Sequence, residues 1–297
     1  MIKEFTDTNS LTVTNKLYSD YLRAFVELWL MSDLGKSERD ATIEVVSCPK
    51  TAEVEIVCKS DGIIAGIEEI EWLCGSQKLD CRWQIADGDK VKKGQVIARI
   101  KGDYKVLMRY ERILLNILQR MSGIATCTAS LSAKVRKYGV KLACTRKTYW
   151  GMLDKKACAV GGGLTHRLGL WDAVMIKDNH FGMGFDLKRV KNVKFVEIEV
   201  ENLRQLDKAM AKLKSVKLPK VVMLDNFNIK KIPEAIKKLR AEGITVEISG
   251  GINEKNLVEY AKFRPDVISM GSLTQNAKAM DLGMEVVSKT QDTDSRK

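Results

Sequence analysis

Proline and histidine are scarce in this chain, with 4 and 2 copies among 297 residues. So few prolines, beside 21 glycines, argue against long linkers. The two histidines, His166 and His180, and seven cysteines with no C-x-x-C pair leave no zinc-ligand pattern. The odd cysteine count also argues against a disulfide framework. Several cysteines sit inside apolar runs, as in Val57-Cys58 and Ala143-Cys144, and read as buried thiols of a reducing compartment. No early apolar run approaches the ~20 residues of a membrane span. The longest, Phe25 to Met31, is broken by Glu27, and MIKEFTDTNS contains no apolar targeting core. A cytoplasmic location with no membrane partner is expected.

Basic residues are abundant: 50 Lys+Arg against 38 Asp+Glu give a net charge of +12. A composition of 45% hydrophobic and 30% charged residues is globular and excludes disorder or a collagen-like repeat. The positive excess suits nucleic acid, an acidic membrane or a polyanionic small substrate. The length allows one large α/β unit or two domains.

Leu17 to Met31 carries apolar residues near the helical period (Leu17, Leu22, Phe25, Leu28, Leu30). Short β-rich runs follow at Thr42–Ser47, Ala52–Cys58 and Gly62–Ile67, then around Arg82–Ile85 and Gln95–Ile100, with turns at Asp87-Gly88-Asp89 and Lys93-Gly94. Lys105 to Leu118 is helical again. The rest alternates. Apolar runs at Val140–Cys144, Ala173–Ile176, Phe195–Val200, Val221–Leu224, Ile244–Ile248 and Val267–Met270 are mostly separated by amphipathic stretches at Leu203–Leu213, Ile229–Leu239 and Glu254–Phe263. This alternation predicts crossover units on a parallel sheet, closed or nearly closed into a β/α barrel of fewer than eight strands. An open doubly wound sheet is the alternative, weakened by the lack of G-x-G-x-x-G after the first strand.

Polar residues follow each run: Thr145-Arg146-Lys147, Lys177-Asp178-Asn179-His180, Asp225-Asn226, Ser249-Gly250-Gly251 and Gly271-Ser272, while the third run carries Glu197, Glu199 and Glu201. In a β/α barrel these ends converge on the face where active sites lie. Arg146, Lys147, His166, Arg167 and Lys177 could grip a ligand with two or more negative groups, since Arg matches carboxylates and phosphates bidentately and Lys acts as a point charge. The plain alternative for any one of them is a solvated strand end. Gly161-Gly162-Gly163 offers a close backbone approach to an anion, or simply a turn. The glycines after the last two runs, ahead of helices expected near Asn253 and Gln275, suggest a phosphate site. Glu199 and Asp225 could hold Mg²⁺, steady positive charge on a sugar ring, or pair with nearby lysines.

Taken together, these residues resemble the quinolinate phosphoribosyltransferases, also called carboxylating nicotinate-nucleotide pyrophosphorylases. The likeness is carried by Glu111-Arg112 with Asn116–Thr126, Thr145-Arg146-Lys147-Thr148, Gly161–Gly163 with His166-Arg167, and Ile176-Lys177-Asp178-Asn179-His180. It continues in order through Glu197-Ile198-Glu199-Val200, Leu224-Asp225-Asn226, Ser249-Gly250-Gly251-Ile252 and Gly271-Ser272-Leu273-Thr274, and covers roughly residues 33 to 285. The resemblance implies an N-terminal α/β sandwich (1–121), an incomplete six- to seven-stranded β/α barrel of the type II phosphoribosyltransferase kind (122–274), and a C-terminal helix (275–297) returning to the first domain. It implies transfer of phosphoribosyl from 5-phosphoribosyl-1-pyrophosphate to quinolinate with release of pyrophosphate and CO₂, giving nicotinate mononucleotide for NAD biosynthesis.

By position, the resemblance assigns Arg146, His166, Arg167 and Lys177 to the quinolinate carboxylates and Lys147 to the pyrophosphate or carboxylate region. Thr145 joins the substrate set, and Glu199 and Asp225 hold Mg²⁺ and the ribose. Ser249, Gly250, Gly251, Met270, Gly271 and Ser272 take the 5-phosphate. Lys147, Glu199 and Asp225 form the catalytic set. Arg112 enters from a neighbouring subunit, so a homodimer, or a hexamer built as a trimer of dimers, is implied.

The chain departs from the family pattern at Trp150, where proline is common, in a shortened segment after Gly151, at Gln275, and in a stretched Asp33–Thr42 element. A relative acting on nicotinate, or a molybdenum-transport-associated homologue, is the alternative these departures raise. The retained Ile176–His180 element favours quinolinate. Nucleic-acid binding, suggested by Lys212, Lys214, Lys217 and Lys220, lacks any recognition motif, and a lipoyl-type carrier lacks a suitable lysine in its turn.

Overall fold

The computed structural model describes residues 5–181 and 183–290. Along the chain run α1 (Lys16–Leu34), α2 (Ala41–Val45), β1 (Thr51–Cys58), β2 (Gly62–Ile63), α3 (Ile67–Ser76), β3 (Asp80–Trp83), β4 (Lys90–Val91), β5 (Val96–Asp103) and α4 (Tyr104–Val135). Then come β6 (Lys141–Cys144), α5 (Gly151–Val160), β7 (Val174–Ile176), α6 (Asp178–Phe181), β8 (Val196–Val200), α7 (Leu203–Leu213) and β9 (Lys220–Asp225). The last are α8 (Ile232–Ala241), β10 (Thr245–Ser249), α9 (Leu257–Ala261), β11 (Val267–Met270), α10 (Ser272–Gln275) and β12 (Leu282–Thr290). Two compact units result. One comprises residues 9–126, 152–161 and the described part of 278–297; the other comprises the described part of 1–8 with 127–151 and 162–277.

The first unit is built on an antiparallel sheet of order β12-β1-β5-β3. β1 alternates buried and half-buried residues along its length, the pattern of a sheet with one covered face. Asn15 caps α1 by accepting from Leu17 and Tyr18 N–H groups. The helix buries Tyr18, Leu22 and Val26, spaced four apart, while Leu17 and Leu28 of the expected apolar face stand exposed. On α3 and α5 lies a buried ionic network. The Tyr18 hydroxyl donates to Glu69 Oε1 at 2.6 Å, and Lys156 Nζ reaches the same oxygen at 2.6 Å and also pairs with Glu68. Asp154 takes both arms of Arg120 at 3.0 and 2.9 Å. These pairs let α5 bury Asp154 and Lys156 against apolar neighbours.

Three expectations need correction here. Thr42–Ser47 is not a strand: Asp40 accepts from Thr42 and Ile43 N–H groups and starts a short helix there instead. The helix expected over Lys105–Leu118 runs on to Val135, straight through Ser122-Gly123. The segment expected as a C-terminal helix is strand β12, paired antiparallel with β1 from Cys58↔Leu282 to Thr51↔Thr290. Val286 and Val287 supply the β-branched chemistry of a strand. Residues 291–297 lie outside the described residues.

The second unit is a six-stranded parallel sheet of order β6-β11-β10-β9-β8-β7, each strand within a residue or two of an apolar run found in the sequence. The order is that of a barrel left open between β6 and β7, so the closed form is excluded and the incomplete one stands. A single parallel bridge, Ala143↔Leu164, extends the β6 side of the opening. β8 and β11 are buried at every position, as expected for strands covered on both faces. An apolar cluster of Phe5, Ala143, Leu164, Ala173, Phe195, Val221 and Val267 includes the second residue of β9 and the first of β11. α7 matches its amphipathic stretch residue for residue, whereas α9 starts at Leu257 and α10 ends at Gln275, so no helix begins at Asn253 or Gln275.

Candidate active site

Parallel strands deliver their C-terminal residues to one end of the sheet, and register fixes which of them are neighbours. Glu199 stands opposite Met223, and Asp225 opposite Ser249. There a cavity of about 420 Å³ is lined by Thr145, Arg146, Lys147, His166, Arg167, Lys177, Glu199, Asp225 and Ser249 together with Cys144, Met175, Met223, Glu247 and Ser269. Nine of the sequence-assigned residues therefore share one concave site.

Arg167 Nη1 donates to the Ala173 carbonyl at 2.9 Å. Burial, and then the neighbouring Arg146, pull the Arg167 pKa down, while Glu197 and Asp172 act the other way. Lys177 Nζ rests on Glu199 Oε2 at 2.5 Å. Glu199 is 8% exposed and faces the cavity, whereas Glu201 is exposed beyond the end of β8 and is not a lining residue.

Beneath this lies a buried acid pair. Glu197 and Glu247 are both completely buried. His166 Nε2 is 2.7 Å from Glu197 and 3.6 Å from Glu247. Burial pushes both carboxyls far above the usual range, and the charge of Glu197 adds to the rise of Glu247. One proton shared by the pair at neutral pH satisfies this geometry. His166 is itself 4% exposed, stacked on Phe5 at 4.4 Å and edge-on to Phe195 at 5.0 Å. Atoms of His166, Glu197 and Glu247 lie close enough to hold a metal ion, but ligation requires the deprotonated carboxylates that burial opposes.

A smaller cavity of about 170 Å³ adjoins, lined by Thr145, Lys147, Asp225, Asn226, Ser249, Gly250, Gly251, Ile252, Ser269 and Gly271. Gly250 has φ +92°, and a Cβ there would stand 2.5 Å from the Asn226 nitrogen, so only glycine fits this turn. Main-chain amides, rather than helix ends, are what the loop offers an anion. Met270, 1% exposed, and Ser272 line neither cavity. Arg112 is exposed on α4, 3.6 Å from Glu111, and lines neither as well.

Sequence reasoning missed Glu247, Ser269 and Asn226 as functional residues, and Met175 and Met223 as the apolar wall. Glu247 carried a readable signal, a charge in the middle of the otherwise apolar Ile244–Ile248 run.

An open six-stranded barrel with a cation-rich mouth, two carboxylates and an adjoining glycine-lined hollow is a site suited to an anionic ligand. The comparisons with known proteins agree. The family model "Quinolinate phosphoribosyl transferase, C-terminal domain" matches residues 124–285 and its N-terminal counterpart matches 40–122. A probable carboxylating nicotinate-nucleotide pyrophosphorylase of Bacillus subtilis is 34% identical over 89% of this chain and 93% of its own length. One from Methanocaldococcus jannaschii is 38% identical over 80% and 85%. The solved nicotinate-nucleotide pyrophosphorylase of Francisella tularensis superposes with a TM-score of 0.80 at 31% identity, covering 90% of this chain and 96% of that one. The chain belongs to the quinolinate phosphoribosyltransferase family, a family of transferases.

Proposed function

We propose that the protein transfers the phosphoribosyl group of 5-phosphoribosyl-1-pyrophosphate to the ring nitrogen of quinolinate, with loss of CO₂, forming nicotinate mononucleotide. The observation that carries this reading is the clustering of cations: Arg146 beside Arg167, with Lys177 lining the same cavity. Two adjacent guanidiniums at a half-buried site call for an anion between them, and a planar dicarboxylate supplies two. Lys177 is released from Glu199 to the second carboxylate as the acceptor enters. The glycine-lined hollow takes the donor's 5-phosphate on main-chain amides, and Thr145 and Lys147 border both cavities, at the reach of the leaving pyrophosphate.

Glu199 and Asp225 fit a magnesium ion. They are hard oxygen donors from adjacent strands on one cavity wall, and the Lys177 ammonium already occupies a cation's place on Glu199. When bound with the donor, the metal would neutralise pyrophosphate charge. The carboxylates also face the ribose, where positive charge develops as the anomeric bond to pyrophosphate loosens. The reaction forms the nitrogen–anomeric carbon bond and breaks the anomeric carbon–pyrophosphate bond. The ring nitrogen becomes cationic and stabilises the electron pair left on the neighbouring carbon as its carboxylate departs as CO₂; a proton from solvent then takes up that pair to give the product's C–H bond. Arg112 of a neighbouring subunit completes the site, so the working unit is at least a homodimer, in the cytoplasm.

The test is production of nicotinate mononucleotide from quinolinate, the phosphoribosyl donor and Mg²⁺, repeated with nicotinate. Product from nicotinate alone overturns the acceptor assignment. Arg146→Ala is expected to weaken quinolinate binding by about 1.5–3 kcal/mol, the usual contribution of a hydrogen bond to a charged group. Unchanged binding overturns the role given to the guanidinium pair.

A further inference from the structure

The His166-Arg167 element has no regular structure to hold it. Leu164 pairs with β6, donating to Leu142 O at 2.8 Å and accepting from Cys144 N at 3.2 Å, and the chain then leaves the sheet. What lies alongside it is residues 5–7, far away in sequence. Phe5 O accepts from Thr165 N at 2.9 Å, and Asp7 N donates to Thr165 Oγ1 at 3.1 Å. Phe5 is 1% exposed, with its ring stacked on the His166 imidazole at 4.4 Å and 23° and tilted against Phe195 at 4.7 Å. Asp7 pairs with Lys194, whose ammonium also meets Asp172 at 2.7 Å, and Asp172 in turn accepts from Leu168 N at 2.9 Å.

Residues on both sides of His166-Arg167 are thus tied to one short segment, on the side where the barrel lacks a strand. We propose that residues 5–7 are a positioning strap: Phe5 sets the plane of His166, and Asp7, through Lys194 and Asp172, sets the turn that aims Arg167 into the acceptor cavity. These residues touch no substrate and act through the two they hold. A stacked ring fixes the imidazole plane, and with it the 2.7 Å contact to Glu197. With that ring removed, His166 can tilt into the space left under it, and the adjoining Arg167 follows. The loss falls on recognition of the dicarboxylate and leaves the donor phosphate hollow, lined by residues at the ends of β6, β9, β10 and β11, unchanged.

This inference rests on the quinolinate reading above, and the full chain tests both. Quinolinate is varied at saturating donor, and donor at saturating quinolinate, for Phe5→Ala, Phe5→Leu and Leu213→Ala. Leu213 is a completely buried residue of α7 and serves as an ordinary core truncation. Phe5→Ala is expected to raise the quinolinate KM about tenfold and the donor KM less than about twofold, because small misplacements of a binding group are costly. Phe5→Leu, which refills the space, recovers most of the loss. Leu213→Ala lowers thermal stability without moving the quinolinate KM. A quinolinate KM unchanged in Phe5→Ala, or raised equally by Leu213→Ala, overturns the strap. Should Phe5→Ala fail to fold, Asp7→Asn carries the test, with a quinolinate KM rise of about threefold expected for a weakened tether and no rise overturning it. A wild-type protein inactive on quinolinate sinks the acceptor reading; an active wild type with unaffected variants sinks the strap alone.

Discussion

The residue that best separates binding from stability is Glu247. It is completely buried, shares its surroundings with Glu197 and meets His166. Its carboxyl is held above the ordinary range by burial first and by the charge of Glu197 second. A carboxyl with a raised native pKa binds its proton more tightly folded than unfolded. The stability it contributes is complete below the ordinary glutamate pKa and is lost as pH rises through the raised value. Glu247→Gln keeps the shape and a hydrogen-bond donor but removes the ionisation. It is expected to flatten the decline in thermal midpoint between neutral and alkaline pH and to gain about 1–3 kcal/mol there, the range for a buried polar group relieved of ionisation. Thermal melts of both proteins across that pH range check it; parallel curves would rule out a shared proton in the pair.

At the scale of elements, α3 shows how a distant loop can start a helix. Its N-cap residue is Gly66, in a left-handed conformation with no side-chain cap. Asp87, from the turn after β3, supplies the missing acceptor, with Ile67 N donating to Oδ1 at 3.0 Å. Burial raises the Asp87 pKa to about 6, opposed by that bond and by Lys156, with Glu69 adding to the rise. By the same sign argument, stability from protonated Asp87 is present below its unfolded pKa and fades as pH climbs through about 6. Asp87→Asn retains the cap and removes the charge, so it is expected to exceed wild type in stability at pH 7. Asp87→Ala loses the cap and is expected to cost about 1 kcal/mol at pH 5. Denaturant titrations of both variants at those two pH values measure the difference.

The elements also differ in how plainly they could be read. The six barrel strands were legible because each is a short apolar run between amphipathic or glycine-bearing segments. α2 was not, because Thr42, Ile43 and Val45 favour strands while the Asp40 cap decides for helix. Ser122-Gly123 lies past the end of the expected helix, but inside α4 the Ser122 hydroxyl serves Ala65, and a Cβ at Gly123 would lie 2.1 Å from the Lys278 carbonyl. Gly123 is therefore a close approach, which a linear pattern does not distinguish from a break. The site was legible where charges end strands, at Arg146, Lys177 and Asp225. It was not legible where tertiary packing makes it, as in the Phe5–His166 stack or the Glu197–Glu247 pair, whose members lie 161 and 50 positions apart.

For the whole molecule, the pocket contains the cations of one chain, while Arg112 is exposed on α4 and paired only loosely with Glu111 at 3.6 Å. If Arg112 serves the site of a neighbouring subunit, loss of function at Arg112 and loss at Lys177 fall on different sites of a mixed dimer. Arg112→Ala and Lys177→Ala, each nearly inactive alone, then complement. In a heterodimer, the site built on the Arg112→Ala chain keeps its own Lys177 and receives an intact Arg112, whereas the other site lacks both. Random reassociation of equal amounts makes half the dimers mixed and one site in two of those complete, so about a quarter of wild-type activity is expected for a two-fold symmetric pair. Activity that stays at the level of the separate variants after verified subunit exchange would place Arg112 in its own chain's site or outside catalysis. It would also remove the reason for requiring a dimer at all.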